Sequence, residues 1–210
     1  MQINHMIQSG NLERPMKALI LIHGRGGSAD DIIGLSEYLA VDDYLLIGPQ
    51  ADENTWYPHS FLAPQQDNQP FLDRSLQRIA DAVALAKSKG VDETSVYFLG
   101  FSQGACLALE YTARNAQRYG GIVAFTGGLI GQSLSLENYN GDFDGTPIFI
   151  GSSDPDFHVP VERVQDSTVQ LRKMGALVTE RIYPEMGHRI SKEEIILANT
   201  VVFNQGDPRD

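Results

Sequence analysis

One cysteine, Cys106, stands in 210 residues. A lone thiol excludes an internal disulfide and any cysteine-cluster metal site. Basic side chains are also scarce: 16 Lys and Arg face 27 Asp and Glu, for a formal net charge of −11. That charge argues against nucleic acid and disfavours anionic membrane surfaces as partners. No apolar run approaches the roughly 20 residues that span a bilayer. Met1 to Gly10 has neither the basic start nor the apolar core of a secretory leader. Repeats, low-complexity tracts and linkers are missing too, so one domain over residues 1–210 is expected. Hydrophobic residues at 42% and charged residues at 20% are ordinary for a globular chain with a real core. These features together fit a cytoplasmic protein.

What is present is an alternation of strands and helices. Continuous apolar runs occur at Lys17–Ile22, Tyr44–Ile47, Val96–Leu99, Ile122–Phe125 and Ile148–Ile150, with a further strand expected at Val178–Tyr183. Unbroken runs indicate strands covered on both faces, as in a parallel sheet. Between them, Leu72, Leu76, Ile79, Val83 and Ala86 recur at helical spacing and Gly90 ends the pattern. Pro160 opens a second helix, buried along Val161, Val164, Leu171 and Met174 and closed by Gly175. Ser191-Lys-Glu-Glu194 has capping-box spacing and should start the last helix. The expected fold class is α/β, a doubly wound and mostly parallel sheet with helices on both faces.

Gly100-Phe-Ser102-Gln-Gly104 falls between one of those strands and a helical stretch, Ala105 to Asn115. That context is what a nucleophile elbow needs: a turn so sharp that its flanking positions must lack side chains, with the serine hydroxyl pushed out at the strand end. A serine hydroxyl is a weak nucleophile until a base takes its proton and an acid orients that base. In α/β-hydrolases the chain order is Ser, then Asp or Glu, then His.

Of the five histidines, His5, His23, His59 and His158 come too early or sit beside other elements. His188 comes late, in a loop after a predicted strand, and is the expected base. For the acid, two aspartates leave the strand ending at Ile150. Asp156 is preferred for its distance to the helix start at Pro160, and Asp154 is the alternative, favoured by its distance from the strand end. Either could instead organise the turn or cap the helix.

An oxyanion hole needs two backbone N–H groups aimed at the developing charge. Gln103, next after the nucleophile, should supply one. Arg25, in the glycine-rich loop His23-Gly-Arg-Gly-Gly27, should supply the other through its main chain. His23 is expected to fix that loop rather than act as a base. A phosphate cradle is the rival reading of the glycines, but no Gly-Lys-Ser/Thr ending follows. From Pro49 to Pro70 the chain has no periodicity, and this aromatic loop is expected to wall the substrate site with Trp56, Tyr57 and Phe61. Leu129, in the loop Thr126 to Gly131, is expected to join them.

With these residues placed, the chain resembles the carboxylesterase/phospholipase family of small α/β-hydrolases, the group that includes acyl-protein thioesterases. The resemblance runs from Lys17 to about Phe203. It rests on Ile22-His-Gly-Arg-Gly26, Gly48-Pro-Gln50, Trp56-Tyr57, Gly100-Phe-Ser-Gln-Gly104, Asp156-Phe-His-Val-Pro160 and Gly187-His188. It implies a Ser102–Asp156–His188 triad, with Arg25 and Gln103 forming the oxyanion hole. It also implies hydrolysis of esters or thioesters through an acyl-serine, without metal or cofactor.

The reading that results is a carboxylesterase for small or medium acyl esters. A thioesterase or lysophospholipase is the alternative, and a non-catalytic binding protein on the same fold is the distant one. The partner is a small-molecule ester, and a homodimer is left open.

Overall fold

A computed structural model describes residues 6–204; His5 lies outside them. Five parallel strands form the backbone of the sheet because each can be buried on both sides. They are β2 (Ala18–Ile22), β3 (Leu45–Pro49), β4 (Val96–Phe101), β5 (Gly121–Phe125) and β6 (Pro147–Asp154). The parallel edge strand β7 (Leu177–Pro184) and the antiparallel β1 (Met6–Gly10) complete the order β1-β3-β2-β4-β5-β6-β7.

The β1 strand has no counterpart in the apolar runs. Its residues, Met-Ile-Gln-Ser-Gly, are only half-buried at the sheet edge, so selection for apolar side chains is weak there.

The side chains of β2 show how a continuous apolar run serves two layers. Ala18, Ile20 and Ile22 enter one core, and Leu19 and Leu21 enter the other. The first core is covered by α2 (Phe71–Ser88), α3 (Gln103–Arg114) and α4 (Val161–Lys173). The second is covered by α1 (Ala29–Gly34) and by α5 (Lys192–Ala198) with the π-turn Asn199–Phe203 that follows it.

Helix α5 starts at a capping box, as its Ser191 and Glu194 spacing predicts. Helix α1 has a capping box as well, Ser28 with Asp31. That spacing was visible in the sequence, but six residues leave too short a stripe for periodicity to mark.

From β2 the chain crosses to β3 on one side, then returns to place β4 on the other. The crevice at such a reversal, beyond the carboxyl ends of the strands, is where open α/β sheets bind ligands. The loop after β2 and the turn after β4 both open into it.

Candidate active site

Ser102 joins β4 to α3 with φ 55° and ψ −117°. Positive φ costs a side-chain-bearing residue roughly 1–3 kcal/mol and persists only where the surroundings enforce it. Here its N–H donates to Phe125 O at 2.9 Å and its carbonyl accepts Cys106 N–H at 3.0 Å. The glycines at either end of the turn are sterically required. A Cβ on Gly100 would lie 2.3 Å from Gly104 O, and one on Gly104 would lie 2.1 Å from Ile22 O. Both contacts are with backbone, which cannot swing aside.

His188 reaches the serine from the loop after β7. Its Nε2 stands 2.8 Å from Ser102 Oγ and its Nδ1 stands 2.8 Å from Asp156 Oδ2. With Nδ1 protonated, the imidazole donates to the carboxylate and presents a lone pair to the hydroxyl. Asp156 has a fully buried side chain. Burial pushes its carboxyl up, but N–H donation from His158, the bond to His188 and N–H donation from Val159 outweigh it and hold the acid below its ordinary range. Asp154 is placed elsewhere: it ends β6, its side chain is exposed, and its carbonyl accepts Glu185 N–H at 2.9 Å.

A further residue joins this arrangement unannounced by any motif. Ser153 Oγ accepts Gly187 N–H at 2.9 Å and donates to Pro155 O at 3.2 Å. The serine is buried and stands between the segments that carry Asp156 and His188.

Gln103 N–H is the first of α3 and without an intrahelical acceptor, and Arg25 follows Gly24, where a Cβ would stand 3.5 Å from Ser102 Cβ. The side chains of Arg25 and Gln103 do a separate job. The Arg25 guanidinium donates to the carbonyls of Tyr57, Pro58 and His59 at 2.9–3.0 Å. The Gln103 amide donates to Tyr57 O at 2.8 Å and accepts Trp56 N–H at 3.0 Å. The aromatic loop is thereby fastened to the nucleophile turn and to the loop after β2.

His23 is buried and neutral in its bonding: Nδ1 pairs with Gly24 O at 2.7 Å, while Nε2 accepts Ala51 N–H at 3.2 Å. Desolvation lowers its pKa. The ring holds the loop in place, stacked at a tilt 5.0 Å from Trp56.

In front of Ser102 lies a cavity of about 440 Å³. Tyr57, Phe61 and Cys106 line it, and so do His59, His158 and Val159. Trp56 and Leu129, expected with them, do not reach its wall. Trp56 is buried in the core, its indole N–H donating to His23 O at 2.8 Å, and Leu129 is fully buried with its N–H on Ser167 Oγ. In both cases a bulky apolar side chain near the site serves packing. Burial pushes the Cys106 thiol up to about 12, so it stays protonated against the cavity. Among the described residues, no group of three or more His, Cys, Asp or Glu could hold a metal ion, and no helix is long and apolar enough to cross a membrane.

Comparison with known proteins points one way. The model of the phospholipase/carboxylesterase family matches residues 4–202. A crystal structure of a phospholipase/carboxylesterase from Dyadobacter fermentans superposes with a TM-score of 0.94 at 51% identity, covering 95% of this chain and 96% of that one. A probable carboxylesterase, SOBER1-like, of Arabidopsis thaliana is 31% identical over 106 residues, 50% of this chain and 40% of the relative. Acyl-protein thioesterase 1 of Saccharomyces cerevisiae is 27% identical over 179 residues, 76% of this chain and 78% of the yeast protein. The match spans about half the length of the plant relatives, 40% and 54%.

Proposed function

The chain belongs to the phospholipase/carboxylesterase family, and we propose that it is a serine esterase that cleaves small or medium acyl esters through an acyl-serine intermediate. The observation that carries this reading is the placement of His188 at 2.8 Å from both Ser102 Oγ and Asp156 Oδ2.

His188 Nε2 takes the Ser102 proton as Oγ attacks the ester carbonyl carbon. Negative charge then grows on the carbonyl oxygen, and the N–H groups of Arg25 and Gln103, at the positive end of α3, receive it. The imidazolium formed is stabilised by Asp156, which stays ionised because three donors hold its carboxylate. Collapse of the tetrahedral intermediate breaks the bond to the alcohol oxygen, which leaves with the proton from His188. Water then gives a proton to His188 as its oxygen attacks the acyl carbon; the bond from that carbon to Ser102 Oγ breaks, Oγ takes the proton back from His188, and the acid is released.

The acyl group occupies the 440 Å³ cavity. Phe61 and Tyr57 close it with buried rings, and the polar His59 and His158 share the wall, which suits short chains better than a long acyl tail. The yeast acyl-protein thioesterase relative makes thioesters the second class to test. The single cysteine and the net charge of −11 are compatible with a cytoplasmic enzyme.

The test is the rate of hydrolysis of p-nitrophenyl esters of increasing acyl length by the native chain and by Ser102→Ala. Activity with a short-chain optimum, lost in the variant, is the expected result. A long-chain optimum would move the assignment to lipid or thioester substrates, and activity retained in the variant would overturn it.

A further inference from the structure

A second cavity, of about 250 Å³, opens on the other flank of the loop after β2. Arg25 is common to both cavities. The remaining wall is mainly apolar, from Ile32 in α1 and Leu35 just after it, Phe101 at the end of β4 and Ile190 after the triad histidine. Its polar members are already bonded within the protein. His23 has both ring nitrogens occupied, and Asp31 Oδ2 accepts the Ser28 N–H and hydroxyl. What the cavity offers a ligand is therefore chiefly hydrocarbon contact.

Its position relative to the reacting atoms is close. Gly24 lies between the cavity and the nucleophile, where a Cβ would stand 3.2 Å from the Phe101 ring and 3.5 Å from Ser102 Cβ. The Phe101 ring is 5.3 Å from the His188 ring, and His158, on the wall of the larger cavity, is 4.9 Å from it. The base thus contacts one residue from each cavity.

Resting on the esterase reading above, we propose that the smaller cavity is the site for the alcohol arm of the ester, and that its preferred occupant is an uncharged alkyl or benzyl group. An ester has two arms, and the larger cavity, lined by Ser102, Gln103 and Cys106, takes the acyl one. The leaving oxygen must come within hydrogen-bond reach of His188 Nε2 to be protonated, so the carbon attached to it starts beside that ring. The apolar surface adjoining the ring is Phe101, with Ile190 two residues further along the chain. A cavity of about 150 Å³ accepts benzene, so this one has room for a benzyl group or a short alkyl chain.

The proposal separates two specificities that a single ester series would confound. Acetates of methyl, ethyl, butyl, hexyl and benzyl alcohol vary one arm, and methyl esters of acids of increasing length vary the other. The expected result is that kcat/KM climbs roughly fourfold per methylene along the alcohol series until the cavity is full. Leu35→Trp, which fills the cavity, flattens the alcohol series and leaves the acyl series as it was. Leu35→Ala, which enlarges it, moves the alcohol optimum to longer chains and guards against a variant that fails to fold.

A flat alcohol series beside a graded acyl series overturns this proposal alone. Equal losses in both series on Leu35→Trp, with the Leu35→Ala optimum unmoved, overturn it as well. Absence of turnover on every ester overturns the esterase reading and this site with it.

Discussion

Ser153 Oγ lies 2.9 Å from Gly187 N, a bond that ties the end of β6 to the residue before the triad histidine across 34 positions of chain. Its own proton goes to Pro155 O, beside the acid. One buried hydroxyl thus sets the spacing between the two loops whose side chains must meet.

Removing that hydroxyl should loosen the His188–Asp156 pair while leaving both residues in place. A buried hydrogen bond contributes about 1 kcal/mol, roughly a factor of five in rate if it acts on the transition state. Ser153→Ala is therefore expected to lower kcat roughly fivefold and to leave KM nearly unchanged. Steady-state kinetics decide it: a raised KM with kcat preserved would mean that Ser153 shapes the cavity instead.

The backbone at Ser102 leads to a prediction about stability. Two variants that lack the hydroxyl, Ser102→Ala and Ser102→Gly, differ in whether a Cβ must endure φ 55°. Both are expected to lose activity roughly a thousandfold or more. The glycine variant should nevertheless be the more stable, by about 1 kcal/mol. Urea denaturation of the pair checks this, and an alanine variant as stable as the glycine one would show that the turn carries no strain.

Asp156 makes a prediction about acid. Its native carboxyl is held below the ordinary value of 3.8, so the unfolded chain binds the proton more tightly. The resulting stability is complete above that value and drains as pH falls through the lower native pKa. Asp156→Asn should abolish this part of the acid transition. Thermal melts from pH 3 to 6 would show a shallower acid limb in the variant; parallel curves would refute the linkage.

Glu194 works in the opposite sense. Burial raises its pKa above 4.5 against the bonds from Ser191, and its Oε1 is buried without a hydrogen-bond partner among the described residues. The native state then holds the proton more tightly than the unfolded chain, so stability falls as pH rises from 4.5 through the native value. Glu194→Gln keeps the capping geometry without the charge. Its melting temperature should change less between pH 4.5 and 8 than that of the native chain, and equal changes would count against the assignment.

How legible all this was depended on how local the cause is. The parallel strands announced themselves because burial on both faces demands unbroken apolar runs, as at Leu19 to Ile22. The elbow was readable because Gly100 and Gly104 are forced by contacts within a few residues and with one neighbouring strand. The choice between Asp154 and Asp156 was left open by spacing, since it turns on where β6 stops, and β6 runs through Asp154 itself. Ser153 left no trace, because a side chain that bonds a main-chain N–H 34 residues away imposes no residue type on its partner. Trp56 and Leu129 read as cavity wall in the sequence because an apolar residue near a site looks the same whether it faces the ligand or the core.

The fastening of the aromatic loop has a wider meaning. Arg25 and Gln103 grip it only through main-chain atoms, the carbonyls of Tyr57, Pro58 and His59 and the N–H of Trp56. Those handles are common to almost every amino acid. The side chains at positions 58 to 60 can therefore be exchanged without dislodging the loop, so that what the cavity recognises and how its wall is anchored are inherited separately. A lineage could retune its choice of acyl group one residue at a time, with the nucleophile never losing its support.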